Sequence, residues 1–147
     1  MTIENEDITS VLMLWAEVQE GSPSPSFWPH WRSLRRMLSG ELSRHDYVQN
    51  IINTQTDRLK ETGEEIRKFE ANLDIKLKEL RSAQAAKASW KGGDPYDVNY
   101  EVEKSERDVR SIEQSIKSKH ERFQELTSYV EYLGKILSKV TPTNAVT

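Results

Sequence analysis

The chain has 147 residues, 35% hydrophobic and 31% charged, with a formal net charge of −3; that is room for one domain or one elongated unit. Its mean hydropathy of −0.76 is low for a compact globule and ordinary for a coiled coil, whose seam uses about two positions in seven. With no cysteine, disulfides and thiolate metal sites are excluded; the mild acidity argues against polyanion binding over the whole surface, and no run of about 18 apolar residues could span a membrane.

Residues 1–7 are acidic and lack an apolar core, so no secretory signal is expected. The expectation is a soluble intracellular protein of cytoplasm or nucleus. A first helix is predicted over residues 6–20, with Ile8, Val11, Leu12, Trp15 and Val18 on one face and Met13 and Leu14 off it, which leaves open a second covered surface. Gly21-Ser22-Pro23-Ser24-Pro25-Ser26 breaks the pattern as a loop, and its two Ser-Pro steps are candidate phosphorylation sites.

A second helix follows over residues 27–38, with Pro29 tolerated in its first turn. Its stripe of Phe27, Trp28, Trp31, Leu34 and Leu38 is dense in aromatics and is expected to anchor the core. Ser39-Gly40 ends it. Helix then restarts with Ser43 as N-cap and Asp46 at the third position.

From Arg44 to about Trp90 there is neither proline nor a turn cluster. Val48, Ile52, Gln55, Leu59, Thr62, Ile66, Phe69 and Leu73 alternate steps of four and three, slipping slightly through Leu77 and Leu80 to Ala83. Val102, Ser105, Val109, Ile112, Ile116, Lys119, Phe123, Leu126, Val130, Leu133, Leu137 and Val140 do the same on the far side. A 3.5-residue repeat held this long indicates a left-handed coiled coil. Between the two ladders lies Trp90-Lys91-Gly92-Gly93-Asp94-Pro95-Tyr96-Asp97. The glycines suit a helix end; Asp94, Pro95 and Asp97 suit a helix start. In an antiparallel hairpin, facing positions have a nearly constant total. Val48 with Leu137, Ile52 with Leu133 and Leu73 with Ile112 all total 185, which centres the fold-back between Gly92 and Gly93.

The seam has polar breaks at Gln55, Thr62 and Lys119, and Ala83, Ala85, Ala86 and Ala88 thin it near the tip. Such breaks fix register or partner choice, or leave room for another chain. Tyr47, Ile51, Tyr129, Tyr132 and Ile136 form a second stripe beside the seam at the open end. A bare two-helix hairpin has no use for it, so the first two helices are its natural cover. The predicted fold is therefore all-α. A long antiparallel two-helix coiled-coil hairpin carries two shorter N-terminal helices on its open end, making a four-helix base with a two-helix stalk. The expected divisions are a helical pair over 1–43, the hairpin over 44–140 with its tip at 90–97, and a flexible tail over 141–147.

Residues 27–47, with the turn Leu38-Ser39-Gly40-Glu41-Leu42-Ser43-Arg44-His45-Asp46-Tyr47, resemble the N-terminal helical hairpin of the adaptor subunit of SAGA-type transcription coactivators. The match is a turn pattern over 21 of 147 residues, without the histone-fold part that family carries next. It implies a subunit of a chromatin- or transcription-type complex. Trp90-Lys91-Gly92 at a hairpin tip is also similar to the secreted WXG-type helical hairpins. Two residues carry that likeness; the two preceding helices and the missing Tyr-x-x-x-Asp/Glu signal depart from it. It implies a secreted effector.

No catalytic constellation is present. His30, His45 and His120 lie in separate segments without metal-ligand spacing, and Gly92-Gly93 lacks a phosphate-loop context. Glu64, Glu65 and Glu70 sit among Arg67 and Lys68, as solvated coiled-coil flanks do. No enzyme, cofactor or metal is expected. Arg32, Arg35, Arg36, Arg44 and His45 gather near the second helix, but the acidic flanks and the long following helix disfavour nucleic acid. The reading is a structural adaptor subunit that mediates protein–protein assembly as a homo- or hetero-oligomer, with no membrane role. Its partner-binding candidates are Trp15, Trp28, Trp31, Arg35, Arg36, Tyr129 and Tyr132; its tip residues are Trp90, Gly92, Gly93, Asp94 and Pro95. Nucleic-acid association and a secreted hairpin are the alternatives, and whether the hairpin closes within one chain or between two is left open.

Overall fold

A computed structural model describes residues 5–23 and 28–140. Four helices follow in order: α1 (Asn5–Glu20), α2 (Trp28–Leu38), α3 (Arg44–Ala88) and α4 (Tyr96–Lys139). No strand occurs among the described residues. Helices α3 and α4 pack closely as a hairpin, together with the shorter N-terminal helices. Residues 24–27 and 141–147, which hold Ser24, Pro25, Phe27 and the predicted tail, lie outside the described residues.

Local chemistry explains the helix ends. Helix α2 closes in a Schellman arrangement: Glu41 N–H donates to the Arg36 carbonyl at 2.9 Å and Gly40 N–H to the Met37 carbonyl at 3.1 Å. Gly40 stands at φ +80°, where a Cβ would be strained. Three residues later Ser43 opens α3, its Oγ accepting from Asp46 N–H at 3.1 Å. At the tip, Asp94 Oδ1 accepts from Tyr96 N–H at 3.0 Å and caps α4. The glycine pair does not itself stop α3, which ends at Ala88. Gly93 alone of the two takes a positive φ, +33°. Trp90, at the end of the first ladder, is 47% exposed.

Backbone contacts divide the chain into two compact units, Met1–Leu59 with Gln124–Thr147, and Lys60–Phe123. The first has four helices. Its core joins Val11, Leu14 and Val18 of α1, Leu34 and Met37 of α2, Leu42, and Tyr47, Val48, Ile51, Tyr129, Leu133 and Ile136 of the hairpin. The second stripe of the hairpin is thus covered by the N-terminal helices. Two details differ from expectation. Leu14, not Leu12, faces inward, and Leu12 and Met13 are exposed. On α2, Met37 takes the buried place expected of Trp31. In both cases the two stripes adjoin and share residues (Val11 and Val18 on α1, Leu34 on α2), and the neighbouring helices select between them.

The second unit is two-stranded. Lys119 Nζ meets Glu65 Oε2 at 2.6 Å and Lys76 Nζ meets Asp108 Oδ2 at 3.9 Å; both pairs total 184 in position number. Gly63 lies opposite the Phe123 ring, for a total of 186. The register therefore stays within one residue of the predicted 185. Lys119 keeps a seam position by turning its ammonium outward to a carboxylate, as a snorkelling side chain does.

Candidate interaction surfaces

Helix α2 presents the most distinctive surface of the four-helix unit. Its sequence Trp28–Leu38 contains three arginines and no acid. Leu34 and Met37 turn inward, so Arg32, Arg35 and Arg36 are left on the outer side, all exposed. With Ser39 and Glu41 they line a shallow groove of about 440 Å³. Arg36 reaches Glu41 at 4.0 Å with both side chains more than half exposed, a weak and screened pair. Trp31, on the same helix, is 55% exposed. A large aromatic left in water beside guanidinium groups is a costly arrangement for a free surface and an ordinary one for an interface.

The other sequence candidates have different places. Trp28 lies outside the residues whose side chains are described. Trp15 packs against the core as a partly buried residue, and its Nε1 is buried without a hydrogen-bond partner. Tyr129 and Tyr132 are not outward-facing contacts: they hold α1. Tyr129 OH donates to the Val18 carbonyl at 3.2 Å and Tyr132 OH to the Glu17 carbonyl at 2.7 Å. These two carbonyls belong to the last turn of α1, whose acceptors lack partners within the helix. Gly21 follows directly and lies flat on the Tyr132 ring, where a Cβ would collide with it. Burial pushes the Tyr129 hydroxyl up to about 12. Burial, then Glu17 and Glu20, raises that of Tyr132. Arg44 adds a further tie to α1 through Ser10 Oγ.

The tip carries a surface that the sequence reading passed over. Tyr96 and Tyr100 are 66% and 45% exposed and stack at 6.4 Å between ring centroids. Their i,i+4 spacing off the α4 seam was the available signal. The tip residues Gly92, Gly93, Asp94 and Pro95 form the connection and are exposed.

Among the described residues, no group of three or more His, Cys, Asp or Glu could hold a metal, and no helix is long and apolar enough to cross a membrane. Comparison with protein-family models, with curated proteins and with solved structures finds no match.

Proposed function

We propose that this chain is a non-enzymatic assembly subunit that docks a partner protein through the outer face of α2. The carrying observation is Trp31, 55% exposed on a helix with three arginines and no acid. Tryptophan and arginine dominate binding energy at protein interfaces. A partner surface with carboxylates around an apolar pocket complements this face: the pocket takes the indole, and the carboxylates take the guanidinium forks in bidentate fashion. The fixed helix presents these groups with little further ordering cost.

The test uses the full chain. Affinity capture from the source cells, read by quantitative mass spectrometry, is compared for the wild type and for Trp31→Ala combined with Arg35→Glu and Arg36→Glu. All three positions are exposed, so circular dichroism should be unchanged. The expected result is loss of specific co-purifying proteins from the variant. A wild type that captures nothing specific, or a variant with the same partners, overturns the reading.

The arginine cluster also favours a second reading, a nucleic-acid-associated complex subunit. That reading requires binding of duplex DNA or RNA that falls steeply with salt and is lost in the same variant. Absence of binding at low salt removes it.

A further inference from the structure

Within the two-helix unit, α3 and α4 enclose an open groove of about 660 Å³ close to the tip. Its apolar lining is Ile75, Ala83, Ala86 and Val98. Alanines do not fill the space beside a coiled-coil seam, and Ile75 is left 55% exposed. The charges on the two walls are unequal. On the α3 side stand Lys78 and Glu79, and Glu79 is held by Lys76 at 3.2 Å. On the α4 side stand Asp97 and Glu101; neither forms an ion pair among the described residues. The groove is thus apolar along its floor and acidic along one edge.

We propose that this groove receives one amphipathic helix of a partner protein, with its apolar stripe on the alanine floor and lysines or arginines along the flank that meets Asp97 and Glu101. The proposal rests on the assembly reading but uses a surface other than α2. The length fits: Ile75 to Ala86 covers about 16 Å of helix, roughly three turns. Residues at i, i+3, i+4 and i+7 of an incoming helix supply an apolar stripe of that span. An extended peptide fits poorly, because helical walls offer no free backbone groups to pair with its own. The small side chains let a third helix approach closely. The unpaired carboxylates set its orientation and exclude an acidic flank.

The probe is a synthetic helix-forming peptide of about 18 residues, or five turns. It carries leucines on one stripe and lysines on the flank; a twin carries glutamates there instead. Fluorescence anisotropy against the full chain should show saturable binding of the lysine peptide, about tenfold or more tighter than the twin. Glu101→Lys should cost about tenfold for the lysine peptide and improve the twin. Ala86→Trp should abolish binding by filling the groove. Circular dichroism should show both variants as helical as the wild type. Trp31→Ala should leave peptide binding intact, so failure here and failure of the α2 reading are separable. No saturable binding, equal affinity for both peptides, or indifference to Ala86→Trp overturns the proposal. So does a wild-type dimer in sedimentation that Ala86→Trp disrupts, since a second copy would then occupy the groove.

Discussion

The same two helices run through both units, yet their seams bury very different amounts. In the four-helix unit Tyr47, Val48 and Leu133 reach zero exposure, and Leu126, Tyr129 and Ile136 come close. In the two-helix unit the buried apolar residues are Ile66, Val102 and Val109, while Leu73, Ile112, Ile116 and Phe123 remain partly exposed. The seam there also carries Thr62, Ala83, Ser105 and Lys119, but its large apolar residues are no better covered. One facing helix covers only a narrow stripe of its neighbour, and the flanks stay wet. Where α1 and α2 add two more covers, tyrosines beside the seam become core. Heptad regularity thus decides which way two helices face; the number of neighbours decides how much stability that facing brings.

The largest effect expected is the contrast between Leu133→Ala and Leu73→Ala. A fully buried leucine truncated to alanine costs about 2–5 kcal/mol, whereas partly exposed Leu73 should cost no more than about half as much. Thermal unfolding of the two variants checks this, and equal losses would erase the contrast. Next comes alkaline pH. The Tyr129 hydroxyl rises from its ordinary value of 10 to about 12 through burial, the neighbouring Tyr132 adding to it; burial, then Tyr129, also raises that of Tyr47. A raised folded value means the folded state holds its proton more tightly. That stability is complete below pH 10 and is lost as pH climbs through about 12. Denaturant titrations across this window should show the loss, reduced in Tyr129→Phe. The smallest effect concerns Gln55, buried to 1% exposure with Oε1 lacking a partner. Gln55→Leu should raise stability by about 1–3 kcal/mol and, if Gln55 guards the pairing of the helices, loosen register. Thermal melts and crosslinking at Glu65 and Lys119 would show both.

Much of this architecture was legible in the chain. The two ladders and their common total of 185 set Lys119 against Ile66 with no tertiary information, and the ion pairs of Lys119 with Glu65 and of Lys76 with Asp108 fall within one residue of that register. The Ser43 and Asp94 caps follow from local chemistry. The stripe Tyr47, Ile51, Tyr129, Tyr132 and Ile136 announced that something must cover it. The candidate surfaces were less legible. Trp31 and Met37 both adjoin Leu34 at helical spacing, and composition favoured the tryptophan for the core. Tyr129 and Tyr132 looked like partner contacts because a phenol is equally at home at an interface and against a helix end.

What the sequence by itself determined is periodic: four helices, their caps, the fold-back and its register. Periodicity is a property of one helix, and pairing two of them in antiparallel follows from matching repeats. What only the tertiary structure decided is which of two adjoining stripes goes inside, because that depends on side chains brought in from helices distant along the chain. Leu14 over Leu12, Met37 over Trp31, and the tyrosine hydroxyls closing the last turn of α1 were all settled there.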